Sequence, residues 1–143
     1  MRFVFDTNVL VSALLLADSI SRRAFDRALE NGKVLLSFAA LAEVYDVLGR
    51  EQFRRYVTLE DARRFLAALA RQAEWIDVSS HIAACRDPND DMFLELAVDG
   101  HASHLITGDH DLIALHPFRG VDILTPHAFL ELALPPATSA EPS

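Results

Sequence analysis

The sequence predicts a single α/β domain with a mostly parallel central sheet of about four to five strands, flanked by helices on both faces. Three observations lead there. Short apolar runs of strand length recur, among them RFVF, VLL and HLI, and strands covered on both faces read as continuous apolar runs. Between them lie segments of helical period with stop and start signals, such as Asn31–Gly32, Gly49 and Asp87–Pro88. The 143 residues, 51% hydrophobic and 24% charged, suit one globular domain.

The elements follow in order along the chain. Residues 2–5 form a first strand, ended by Asp6, Thr7 and Asn8. Residues 9–16 read as a helix, and 21–30 as another with Phe25 and Leu29 on one face. A second strand spans 34–36, and the helix 38–48 ends at Gly49. Further helices are expected over 51–56 and 59–72, and a third strand over 75–78. A helix over 87–98 leads to a strand at 104–106, a short helix at 111–115, a last strand at 121–124 and a closing helix at 126–134. The domain is thus expected to span 1–134. Residues 135–143 (PPATSAEPS) form a polar, proline-rich tail expected to be disordered. In an alternating layout of this kind, sites form beyond the carboxyl ends of the strands, where strand order reverses.

Composition excludes several classes. Asp6, Thr7 and Asn8 break the N-terminal apolar run, so no signal peptide is expected. No stretch approaches the roughly 18 apolar residues of a membrane span. Cys85 is the only cysteine, so no internal disulfide forms, which fits a reducing cytoplasm; its apolar neighbours suggest an inert thiol. The six histidines lack metal-ligand spacing, since Gly100 suggests a turn ahead of His101 and His104. There is no GxGxxG, Walker loop or GxSxG elbow. A haloacid-dehalogenase-like phosphatase also begins with a strand and an Asp, but wants a second Asp two residues on, where this chain has Asn8. The net charge of −8 argues against a basic nucleic-acid binder. It does not exclude a nuclease, because acids gathered at one metal site raise the count and bound cations invert the local field.

The acids themselves are informative. Asp6 directly follows the first strand; it could cap the next helix, but Thr7 or Asn8 could do so instead. Glu43 is the only charged residue between Phe38 and Val44 and stacks with Ala39 and Val47. It either serves a site or sits at the stripe's edge, reaching water or an arginine; Asp46 faces solvent. In CRDPNDDMFLELAVDG, Asp87 and Pro88 read as cap and first helical residue. On a helical wheel Asp90 falls near the middle of the apolar face, Asp91 at its edge, and Glu95 and Asp99 opposite, which ranks Asp90 above Asp91 as a ligand. Asp109 follows the strand 104–106 after Thr107 and Gly108, repeating the position of Asp6, although Asp109 or Asp111 could equally cap the next helix. Carboxylates from four separated segments suit Mg²⁺ or Mn²⁺ and the hydrolysis of a phosphodiester. Arg22, Arg23, Arg27, Arg50, Arg54 and Arg55 are candidates for phosphate contacts, or ordinary solvated helix faces.

Together FDTNVLVSALL, the acid in SFAALAEV, RDPNDDMFLELA and LITGDHDL resemble the PIN domain family, over about residues 2–132. They look most like its branch of toxin components of toxin–antitoxin systems, related to VapC. The resemblance implies a parallel sheet with a central first strand and an Mg²⁺- or Mn²⁺-dependent endoribonuclease. It also implies a cognate antitoxin and a homodimer. It carries the family's four acids onto Asp6, Glu43, Asp90 and Asp109, with Asp6, Asp90 and Asp109 as metal ligands. Thr7 resembles the hydroxyl that supports the first acid, with Asn8, Asp91 and Thr107 as further supporting residues. The alternative is a PIN module that binds RNA or a partner without catalysis; a DNA-specific nuclease is a weaker one.

Overall fold

The computed structural model describes residues 1–132. The first strand, β1, spans Arg2–Phe5 and is followed by helices α1 (Thr7–Leu15) and α2 (Ile20–Asn31). Strand β2 (Lys33–Leu36) leads into α3 (Phe38–Leu48), a 3₁₀ turn at Glu51–Phe53 and α4 (Leu59–Gln72). Strand β3 (Glu74–Trp75) precedes an irregular stretch and α5 (Pro88–Asp99). Strand β4 (His104–Ile106), α6 (His110–Ile113), β5 (Asp122–Leu124) and α7 (Pro126–Leu130) complete the fold.

All five strands are parallel, in the order β3-β2-β1-β4-β5. The chain builds outward on one side of β1 and then crosses to the other. The reversal of strand order therefore falls between β1 and β4, where an open α/β sheet makes its crevice. Phe3 and Phe5, two residues apart, share a face. Phe3 packs edge-on against Phe129 of α7 at 5.4 Å, and Phe5 against Phe25 of α2 at 5.5 Å. Helix α5 lies against β1, β2 and β4. The core of Phe3, Leu35, Leu36, Leu94, Leu105 and Ile106 is fully buried.

Each of the seven helices among the described residues begins with a side chain that accepts a hydrogen bond from its first turn: Asp6, Ser19, Ser37, Thr58, Asp87, Asp109 and Thr125. Capping of this kind contributes about 1 kcal/mol each. Asp6, Ser37 and Thr125 directly follow strands. Helix α5 runs back against the strands, so its first turn reaches the same edge as their carboxyl ends. At the opposite end of the sheet glycine is required. A Cβ on Gly32 would lie 2.0 Å from the Met1 carbonyl oxygen, beside the 2.9 Å bond that Lys33 N–H donates to it.

Three expectations are corrected. The helix expected over 51–56 is a single 3₁₀ turn. The third strand has two residues rather than four: Ile76 N–H still donates to the Leu36 carbonyl of β2 at 2.9 Å, but from Ser79 on the chain is held by side chains of α5. The closing helix ends at Leu130. The expected tail, residues 135–143, lies outside the described residues.

Candidate active site

The carboxyl edge of the sheet carries a polar depression of about 240 Å³ at the reversal of strand order. Asp6, Glu43, Asp90 and Asp109 all line it, together with Arg50 and Asn8.

Asp6 is the most constrained of the four, with 5% of its surface exposed. One oxygen, Oδ1, accepts the Val9 N–H of α1 at 2.9 Å. The other, Oδ2, accepts the hydroxyl of Thr107 across the β1–β4 crevice. The expectation that Thr7 or Asn8 would cap α1 and leave Asp6 free is therefore wrong: Asp6 both caps and lines the depression. The hydroxyl on Asp6 comes from Thr107, whereas Thr7 Oγ1 is buried without a partner. Thr107 also accepts the Asp109 N–H at 2.9 Å, so one threonine ties the two acids together. Asp109 caps α6 through the Asp111 N–H at 2.8 Å.

Asp90 and Asp91 divide differently from the wheel reading. Asp91 is the buried one, at 6% exposure, and its Oδ1 accepts the N–H groups of Ala84 and Cys85, both at 3.0 Å. Asp90 is half-buried and lines the depression. The wheel assumed that inward means core. The first turn of α5 projects past the strand ends, so inward there means toward the depression. Glu43 is half-buried and has no hydrogen-bond or ion-pair partner among the described residues, while Asp46 is exposed as expected.

Burial raises the pKa of Asp6 above its ordinary range, against the hydrogen bonds of Thr107 and Val9, with the charge of Asp109 adding to the rise. Asp90 is pushed up to about 7, first by burial, then by a hydrogen bond with Asp109 and the charges of Asp109, Asp87 and Asp6. Near neutral pH Asp90 therefore carries its proton for a substantial part of the time. Cys85 behind them is pushed up to about 12 by burial and by Asp91, so its thiol stays protonated and unreactive.

Residues 2–111 match the PIN domain family. That stretch is more than half of the chain and contains all four acids. The chain belongs to the PIN domain family. The family's members are in general nucleases that use divalent metal ions. An uncharacterized protein of Methanocaldococcus jannaschii is 31% identical over 117 residues, covering 80% of this chain and 75% of that protein. The fold recurs in VapBC2 from Rickettsia felis bound to a DNA fragment from its promoter, at TM-score 0.60 and 17% identity, over 86% of this chain and 98% of that one. It recurs in a protein of Pyrobaculum aerophilum at TM-score 0.62 and 15% identity, over 91% and 88%. VapBC-1 from nontypeable Haemophilus influenzae aligns at TM-score 0.56 and 15% identity, over 89% and 99%.

Among the described residues of this PIN domain, no three His, Cys, Asp or Glu side chains converge as a ready-made ligand group. The donor set nonetheless suits a hard divalent cation, because it is all carboxylate oxygen. A cation beside these acids would also relieve the repulsion that helps raise Asp6 and Asp90. The six arginines separate clearly. Arg22 and Arg27 are tied to carbonyls of Ala13, Leu130 and Leu132, Arg54 to that of Leu48, and Arg55 lies over Tyr56. Of the six, only Arg50 borders the acids. Asp87 and Asn89 also line the depression and were missed as site residues; Asp87 is the expected cap as well. Arg50 lies just past Gly49 at the end of α3, with extended backbone, so no helical period pointed to it.

Proposed function

We propose that this PIN domain is a metal-dependent endoribonuclease. The observation that carries this reading is the meeting of Asp6, Glu43, Asp90 and Asp109 at the β1–β4 crevice. Asp6, Asp90 and Asp109 would hold Mg²⁺ or Mn²⁺. When bound, such an ion supplies charge neutralisation at the phosphodiester and acidifies water.

The remaining work falls to this chain's own residues. Thr107 and the α1 amide of Val9 fix both oxygens of Asp6, so its carboxylate cannot swing away. A cation held there would favour the ionised form of Asp90, so its uptake would be coupled to loss of the Asp90 proton. Glu43 has no partner and faces the same space, so it is free to accept the proton of an attacking water. No side chain forms a covalent bond to RNA. Asp6, Asn8 and Asp109 also line a second hollow, with Ser12 and Ser21.

The likeness to the VapBC assemblies supports a toxin role with an antitoxin protein as partner; a homodimer in the cytoplasm is what the resemblance to the VapC branch implies. No helix among the described residues is long and apolar enough to cross a membrane.

The test is cleavage of a panel of structured RNAs by purified protein with Mn²⁺ or Mg²⁺, beside EDTA and Asp6→Asn and Glu43→Gln variants. Each variant is expected to lose about 10²- to 10⁴-fold in rate, and EDTA to abolish turnover. Folded protein that binds RNA or an antitoxin and cuts nothing would instead establish a non-catalytic module.

A further inference from the structure

Beyond the acids, Arg50 occupies an unusual position. It lines the acidic depression with Glu43 and Val47, and it also lines a second groove with Tyr45, Asp46, Gly49, Leu59 and Arg63. Resting on the nuclease reading above, we propose that Arg50 grips an RNA phosphate beside the scissile one. From there the single strand leaves the acids through the Tyr45–Arg63 groove.

Charge, exposure and continuity support the assignment. Arg50 faces its one ionic neighbour, Asp46, at 3.9 Å, with both side chains more than half exposed. A surface pair of that kind holds its arginine weakly, so the guanidinium is available to a phosphate, which it can grip in bidentate fashion. Arg63 is exposed and makes no ion pair among the described residues, since the neighbouring Arg64 takes both Glu60 and Asp61. Tyr45, 55% exposed, gives the same groove an aromatic face. Cations along a groove with an aromatic platform between them are how single strands are held without regard to base. A chain of net charge −8 has few places to receive RNA, and this one joins the acids directly.

The choice of residues separates this route from a general basic surface. Arg22, Arg27 and Arg54 are spent on backbone carbonyls within the fold, so their removal damages structure rather than binding. Arg50 and Arg63 hold no carbonyl.

Binding is measured by fluorescence anisotropy with a labelled single-stranded RNA of about 12 nucleotides, in Mn²⁺ and a Glu43→Gln background that keeps the strand intact. KM and kcat are measured in the otherwise wild-type protein. Arg50→Gln is expected to weaken binding and raise KM by about 10- to 100-fold, with kcat changed far less. The slope of log affinity against log salt should fall by about 1, and Arg50→Lys should recover part of the loss. Tyr45→Ala is expected to weaken binding by about 5- to 100-fold, alike for every base sequence. Unchanged affinity and salt slope in folded Arg50→Gln protein overturns the proposal, as does absence of RNA binding in the parent. A Tyr45→Ala change in sedimentation mass with RNA affinity intact also overturns it, because the groove then belongs to a protein interface. If the wild-type chain cuts no RNA but binding still depends on Arg50, the nuclease reading falls and the strand path stands.

Discussion

Asp90 is held between two requirements. As a half-buried acid beside Asp109 it favours its protonated form, with a pKa of about 7; in the metal-holding role proposed for it, it would have to ionise. Its folded pKa lies above the ordinary 3.8. The stability it contributes is therefore fully present below about 4 and is lost as pH rises through about 7. Asp6 acts in the same direction. His104, kept neutral by burial, acts the opposite way below its ordinary 6.5. Asp99 and Glu74 have lowered pKa values, so their contributions fail only in stronger acid. The informative comparison is thus between the parent and Asp90→Asn rather than the parent's slope alone. In EDTA, lowering the pH from about 8 to about 5.5 should raise Tm of the parent relative to the variant. With saturating Mn²⁺ that difference should reverse, since the ion requires the ionised acid. A Tm profile identical in parent and variant would show that Asp90 does not hold its proton near neutral pH in solution.

At the scale of elements, α5 does more than deliver Asp90. Asp91, Glu95 and Asp99 stand four residues apart and form one stripe. Asp91 accepts from Ala84 and Cys85, Glu95 from Ile82 at 2.9 Å, and Asp99 from Ser79 and Ser80 at 2.7 and 2.9 Å. These carboxylates give the amides of Ser79, Ser80, Ile82, Ala84 and Cys85 the partners that a sheet would otherwise supply. They also fix the path that brings Asp87 to the depression. Asp91→Asn is expected to cost about 1–3 kcal/mol in urea denaturation and to speed hydrogen exchange at Ala84 and Cys85. Asp99→Asn should speed it at Ser79 and Ser80. Asp90→Asn should leave exchange across 79–85 unchanged while removing metal-dependent cleavage. Equal loss of protection from Asp90→Asn would mean that the two neighbouring acids do not divide their roles as the structure has them.

For the whole molecule, the question is how a chain of net charge −8 gathers several of its acids into one crevice. Burial of Asp6 and crowding of Asp90 disfavour ionisation, and the surrounding fold must offset that cost. Any ion that binds only the folded state returns stability: at a hundredfold over its Kd, about 2.7 kcal/mol. Mn²⁺ should raise the urea midpoint accordingly, and Asp6→Asn or Asp109→Asn should remove the gain. Sodium chloride at matched ionic strength should not reproduce it. If it does, the effect is screening of overall charge and not a site.

Much of this was legible in the residues. The strand runs of β1, β2 and β4, the helices α3, α4 and α5, and the acids worth inspecting follow from apolar period and capping, which are written within a few consecutive positions. The family likeness rests on the same short motifs. Other features were settled by tertiary structure, because they join distant segments. Whether Thr7 or Thr107 serves Asp6 depends on β4 lying beside β1, a contact across 100 residues. Whether Asp90 or Asp91 faces the depression depends on how α5 rolls against the sheet and on how far its first turn overhangs the strand ends. The stretch 79–85 carries no periodic pattern, since its amides answer to carboxylates of α5 rather than to a neighbouring strand. Arg50 was one arginine among six until the packing of α3 set it beside the acids. The sequence by itself determined which elements form and which acids stand at their ends; strand order and helix rotation, set by long-range burial, decided which of them meet.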